Sequence, residues 1–177
     1  MNTPAEIEFE CGCSCTVRTT MTISLREIDS DNFQQCINLR VAEGQEKFVA
    51  SNVTSIAQSK IYPASLPFAV YAGEEMVGFV MYGFDTDDNK FYLGRLMIDA
   101  RHQGKGYGKA ATLEVIERMK KIEECQEIYL SFVPENEGAE KLYASVGFER
   151  TGETSKSGEV IMRFSINKNN EPPKTNN

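Results

Sequence analysis

Gln103-Gly104-Lys105-Gly106-Tyr107-Gly108-Lys109-Ala110 follows a strand-like run, Phe91 to Ile98, and leads directly into an amphipathic helical stretch. Glycines at three alternate positions, Gly104, Gly106 and Gly108, let the backbone turn tightly with its N–H groups converging. The unsatisfied amides that open the next helix add partial positive charge. A loop built this way binds a phosphate or pyrophosphate. It is not a Walker loop, because no Ser or Thr follows Lys105 or Lys109 to hold magnesium. A dinucleotide-binding fold also fits poorly, since the preceding strand closes an antiparallel meander rather than a parallel βαβ unit.

Downstream of the loop, Ala111, Val115, Ile116, Met119 and Ile122 fall on one side of a helix at 3.6 residues per turn, with Glu114, Glu117, Arg118 and Lys121 opposite. Ile128 to Val133 reads as a strand covered on both faces, Glu137 to Val146 as a helix closed by Gly147, and Phe148 to Ser155 with Glu159 to Ile166 as a hairpin around Ser157 and Gly158. Upstream, Ile23 to Ile28 is strand-like, and Asp31 with Gln34 three residues on predicts a capped helix carrying Phe33, Cys36, Ile37 and Leu39. A second helix spans Val53 to Lys60, ended by Pro63 and Pro67; strands follow from Phe68 and over Met76 to Phe84, with a polar turn from Asp85 to Asn89. The order of elements predicts an α/β (α+β) fold, one domain over residues 21–166.

The 177 residues carry a formal net charge of −7, which repels nucleic acid phosphates and attracts cations. A nucleic acid partner is therefore not expected, and a small cationic amine is. No apolar run approaches the roughly 18 residues that a membrane span needs, so no membrane partner is expected. Residues 1–20 lack a basic n-region and an apolar core of the signal-peptide kind, which predicts a cytoplasmic protein. Residues 1–20 and 167–177 read as disordered ends, Met21 being a candidate start. Cys11, Cys13 and Cys15 could chelate a soft metal but have no fourth ligand nearby, so no metal is expected. Cys36 and Cys125 are expected to pack as small apolar residues, and His102 to be a surface turn residue.

Two signatures in register resemble the GNAT superfamily of N-acetyltransferases. Gln103 to Gly108 is similar to its acetyl-CoA loop, written Arg or Gln, two variable residues, Gly, one variable residue, then Gly or Ala; Asn136, Ala139, Leu142, Tyr143, Gly147 and Phe148 are similar to its second signature. The resemblance covers about Phe68 to Phe164. It implies a GNAT fold: a mixed, mostly antiparallel sheet of about seven strands with flanking helices, splayed between strands 4 and 5. It also implies acetyl-CoA as cosubstrate. Backbone groups of Leu96, Met97 and Ile98 would pair with the pantetheine amides as an added strand does. Gln103, Gly104, Lys105, Gly106, Tyr107, Gly108 and Lys109 would hold the pyrophosphate, Asn136 would reach the pantetheine arm, and Tyr143 would face the sulfur. Homodimers are common in such a family, so a homodimer is a further expectation.

Tyr143 has a chemical rationale of its own. Amine attack on a thioester expels a thiolate whose conjugate acid has a pKa near 8.5, and a phenol near 10 supplies the proton at close range. The base is open. Relatives place a glutamate on the fourth strand where this chain has Gly94, leaving Glu43, Glu74 or Tyr82 acting through water.

Within the superfamily, the segment from Leu39 to Ala57, with Arg40, Glu43, Gln45, Phe48 and Asn52, resembles the bacterial spermine/spermidine acetyltransferases, as do Arg95, Met97 and Ile98. Glu43 and Glu46 would then face a polycation, with Glu74, Glu75 and the Asp85 to Asp88 turn adding field, although a solvated surface is the simpler reading of that turn. Acetylation of another small-molecule or protein amine, and a non-catalytic acyl-CoA sensor, remain alternatives.

Overall fold

The computed structural model describes residues 22–166. The two ends read as disordered, with Cys11, Cys13 and Cys15, lie outside the described residues. One seven-stranded sheet runs in the order β1-β2-β3-β4-β5-β7-β6, comprising β1 (Ile23–Glu27), β2 (Ser65–Ala72), β3 (Glu75–Asp85), β4 (Lys90–Ile98), β5 (Glu127–Phe132), β6 (Glu149–Thr154) and β7 (Val160–Ser165). Helices α1 (Phe33–Asn38), α2 (Asn52–Ile61), α3 (Tyr107–Met119) and α4 (Glu137–Ala144) flank it. None of the described helices is long and apolar enough to cross a membrane.

Two apolar clusters are built from alternate residues of the same strands. Val70, Val77 and Val80 join Val115, Ile116 and Met119 of α3, whereas Ala69, Met76, Phe79 and Met81 join Cys36 and Leu39 beside α1. Neighbouring residues of β2 and β3 thus feed opposite cores, with the extra residue at Val77 shifting the phase in β3. Cys36 and Cys125 are fully buried, as expected of small apolar residues, and burial pushes the Cys36 thiol up to about 11.

Every adjacent strand pair is antiparallel except β4 with β5, which are parallel and matched only at Phe91 with Ile128 and Tyr92 with Tyr129. Beyond that point the two strands part. Tyr92 and Tyr129 mark the crotch, their rings 5.9 Å apart and Lys90 over the Tyr129 ring at 4.6 Å. On the other edge of β4 the ladder to β3 skips Gly94, because Met81 faces Arg95 while Tyr82 faces Leu93. An extra residue of this kind bends the strand that carries it. β4 therefore turns away from β5 at the place where their pairing stops.

Three local expectations are corrected. Asp31 does not cap α1: Asp29 Oδ1 accepts from the N–H groups of Asp31 and Asn32, and Leu39 lies just past the helix. Pro67 sits inside β2 rather than ending a helix. Its register partner is Met81 on β3, whereas β1 reaches only as far as Phe68, so the missing N–H costs no ladder bond on that side. His102 is buried, in a single 3-10 turn over Ala100–His102, with Nε2 3.6 Å from Glu75 Oε1.

The buried Asp99 locks the end of β4 to the segment after α1. Its carboxylate accepts from Arg40 N at 3.1 Å, Arg101 N at 3.1 Å and Arg101 Nε at 2.7 Å. Burial pulls the carboxyl upward, but the Arg101 guanidinium and the two backbone amides outweigh that and hold it below the usual range. Asp99→Ala is expected to cost about 1–3 kcal/mol, read as a lower Tm. Because the folded value is depressed, the difference from the parent is full above the ordinary carboxylate value of about 3.9 and fades as pH falls through the folded one; calorimetry across pH checks both.

Candidate active site

The parting of β4 from β5 opens a cleft of about 940 Å³ on one side, floored by Leu93 to Ile98 of β4 and walled by the glycine loop, the start of α3 and residues of α4. At one end the glycine loop and the start of α3 turn open backbone amides toward it. Gly104 and Gly106 have φ of 75° and 81°, a left-handed conformation that disfavours a side chain. The first backbone bond across the start of α3 runs from Ala110 N–H to Gly106 carbonyl at 3.1 Å, which leaves the amides of Tyr107, Gly108 and Lys109 without an intrahelical acceptor. Gly108 serves a different purpose: a Cβ there would lie 2.8 Å from Leu142 Cδ1, so its absence lets α3 and α4 approach.

Along the cleft floor, β4 pairs with β3 along one edge, and from Leu93 onward its other edge has no β5 partner. Backbone N–H and C=O groups left open in this way need a partner from water or a ligand. Gln103 already takes one of them, since its Nε2 donates to Ile98 carbonyl at 3.0 Å and to Gln45 Oε1 at 2.8 Å. Its side chain therefore ties the loop to the segment between α1 and α2 and contributes to the cleft through what it positions. Asn136 caps α4, with Oδ1 accepting from Ala139 N at 3.1 Å, so only its Nδ2 end is turned to other use.

Tyr143 lines the same cleft, with its ring edge-on to Phe148 at 5.8 Å and 6.3 Å from Phe132. Burial pushes its phenol up to about 12. It is therefore neutral, with its proton in place, near neutral pH.

Leu96, Met97, Ile98, Gln103, Gly104, Gly106, Tyr107, Gly108, Lys109, Asn136, Tyr143 and Glu46 are brought together in this cleft. Lys105 is exposed and does not line the cleft, and Glu43 is likewise exposed outside it. Glu74 is not near: it sits in the β2–β3 turn, where Arg26 donates to both of its oxygens at 2.9 and 3.0 Å. It lines neither this cleft nor the one that Tyr82 borders. Tyr82 is buried and stacked on Phe68 at 5.4 Å, and it borders a second cleft of about 800 Å³.

The second cleft lies against the β3–β4 turn and the β6–β7 hairpin, and it shares Leu93, Gly94, Arg95 and Ser131 with the first. The two clefts meet where β4 leaves β5. The Asp85 to Asp88 turn, read from the sequence as solvated surface, is exposed and also rims this cleft through Asp85, Asp87 and Asp88. Tyr92 O–H donates to Asp88 at 2.9 Å, and burial together with that carboxylate raises its phenol. Two residues not singled out from the sequence are Ser131, which lines both clefts, and Glu159, which lines the first, and only knowledge of strand pairing could have brought them to notice.

A profile of the Acetyltransferase (GNAT) family matches residues 24–148. This chain belongs to the GNAT acetyltransferase family. The GNAT chain is 31% identical over 148 residues to spermine/spermidine N(1)-acetyltransferase of Bacillus subtilis (strain 168), covering 80% of this chain and 97% of that one. Spermidine N-acetyltransferase from Vibrio cholerae, solved in complex with CoA and spermine, shares its fold at a TM-score of 0.64 and 19% identity, over 81% of this chain and 94% of that one. PaiA N-acetyltransferase from Thermoplasma acidophilum, in complex with coenzyme A, superposes with a TM-score of 0.60 at 20% identity, over 82% of this chain and 100% of that one.

In this GNAT chain a Cβ at position 106 would strain the loop itself. Gly106→Ala is expected to cost about 1–2 kcal/mol of left-handed backbone strain, relieved only by shifting the amides. Affinity for coenzyme A should fall roughly tenfold for each 1.4 kcal/mol lost, measured by isothermal titration calorimetry.

Proposed function

We propose that the chain transfers the acetyl group of acetyl-CoA to a primary amine of a small polycation of the spermidine or spermine class. The observation that carries this reading is the meeting of two clefts at Leu93, Gly94, Arg95 and Ser131. One has the features that suit a long pyrophosphate-bearing thioester: a cradle of amides, then an open strand edge to which an extended amide chain can add. The other has carboxylates at its rim. Asp85, Asp87 and Asp88 outnumber Arg95 and Lys156 in that lining, which favours a cation over an anion. The names of the B. subtilis and V. cholerae relatives support the same substrate class.

Acetyl-CoA supplies an activated acyl carbon and a thiolate leaving group. The chain's own part is to place, to exclude water and to move protons. Amides of Tyr107, Gly108 and Lys109 hold the pyrophosphate, the β4 edge from Leu93 to Ile98 aligns the pantetheine, and Tyr143 faces the sulfur. With its phenol raised to about 12, Tyr143 is a weak free acid. It acts as a relay: the hydroxyl gives its proton to sulfur as the C–S bond breaks and regains one from the nitrogen that has just bonded to carbon.

Thiol release over a panel of amines tests the reading. Spermidine and spermine are expected to be turned over with acetyl-CoA, and amino acids or peptide N-termini poorly. Binding of acetyl-CoA with no turnover of any amine would favour the sensor alternative. Tyr143→Phe should lower kcat about 10²–10⁴-fold with coenzyme A affinity kept; an unchanged kcat would remove Tyr143 from the proton path.

A further inference from the structure

We infer that Glu159, held by Ser131, is the proton acceptor that frees the attacking amine; this rests on the amine-acetylation reading above. An alkylammonium with a pKa of about 10.4 must lose a proton before it can attack, at a cost of about 4–5 kcal/mol near neutral pH. β4, which floors the cleft, carries no carboxylate from Lys90 to Ile98, and at Gly94 it offers no side chain at all. Gly94 is an exposed bulge residue at the junction of the two clefts. The site needs a base from another element.

Strand pairing supplies one. Ser131 of β5 is directly opposite Ile161 of β7, so the two share a face, and Glu159, two residues before Ile161, belongs to that face as the diagonal neighbour of Ser131. The side chains meet: Ser131 O–H donates to Glu159 Oε2 at 2.6 Å. Among the described residues Oε1 accepts no hydrogen bond, so that oxygen is open to an incoming ammonium. The hairpin holds the residue in place, since Glu159 N–H donates to Ser155 Oγ at 3.1 Å and Ser155 N–H donates to Glu159 carbonyl at 2.9 Å. Ser131 lines both clefts and Glu159 lines the coenzyme A cleft, beside the end of β5 that has left β4.

The other carboxylates are less well placed. Glu46 is the second one in that cleft and is exposed on the segment between α1 and α2; Glu43 lies outside both clefts, and Glu74 is occupied by Arg26. Asp85, Asp87 and Asp88 line only the second cleft and not the first, which suits them to a distal ammonium rather than to the reacting one.

The proton count closes. The ammonium nitrogen loses one proton to Glu159 and attacks the thioester carbon. The C–N bond forms, the C–S bond breaks, and the second proton leaves nitrogen for sulfur through Tyr143. Glu159 then releases its proton to water, giving the N-acetyl amine, free thiol and one proton.

Steady-state thiol release with spermidine, run across pH beside calorimetry with acetyl-CoA, tests the assignment. Glu159→Gln is expected to lower kcat/KM about 10²-fold or more near pH 7, with acetyl-CoA affinity kept, and the deficit should shrink as pH approaches the amine's own value. Glu159→Asp, which keeps the carboxylate, should recover part of the loss. Ser131→Ala removes the hydroxyl that positions the carboxylate, so kcat with spermidine should fall while KM for acetyl-CoA is kept. A Gln variant within about threefold of the parent at every pH, or a kcat that Ser131→Ala leaves unchanged, would overturn Glu159 as the base while leaving amine acetylation standing. A parent enzyme that turns over no amine would overturn both.

Discussion

The parallel contact between β4 and β5 lasts for two residue pairs, and the rest of the molecule is arranged around its ending. A strand inside a sheet ordinarily satisfies both of its edges. Here β4 keeps its β3 ladder while β5 is held by β7 over six register pairs, from Glu127 with Ser165 to Phe132 with Val160. Neither neighbour can follow the other across the gap. The bulge at Gly94 bends β4 away at the same level, so the open edge from Leu93 to Ile98 is fixed by the sheet on both sides rather than by a mobile loop.

That fixed edge is useful because the elements around it are tied down before any ligand arrives. Asp99 joins the end of β4 to Arg40, Gln103 joins the loop to Gln45 and to Ile98 carbonyl, and close packing at Gly108 sets α3 against Leu142. The amides of the cradle and the strand edge are thereby held in one geometry, which lowers the ordering cost of binding. The same scaffold brings Tyr143 from α4 and the Ser131–Glu159 pair from β5 and β7 to the mouth of the splay. Residues of separate elements thus line one cleft.

Local physics was legible in the residues. The glycine loop, the apolar face of α3 and the strands of the meander have short-range causes: positive φ at Gly104 and Gly106, a 3.6-residue period at Ala111, Val115, Ile116 and Met119, a continuous apolar run in β3. What depends on pairing across distance was not legible. β7 inserts between β5 and β6, the register then sets Glu159 beside Ser131, and no local pattern encodes that choice. Glu74 looked free because its partner, Arg26, is 48 residues away. His102 looked like a surface residue because the helical turn that buries it is only three residues long. Lys105 and Lys109 were equivalent in the sequence, yet only Lys109 reaches the cleft.

Hydrogen–deuterium exchange with and without acetyl-CoA reads the β4 edge and the amide cradle at once. Added at saturation, acetyl-CoA should slow exchange at amides within Leu93 to Ile98 and at Gly104 to Lys109, while amides of the Asp85 to Asp88 turn keep their rates. Unchanged exchange in both segments would contradict the docking of a thioester along the gap where β4 leaves β5.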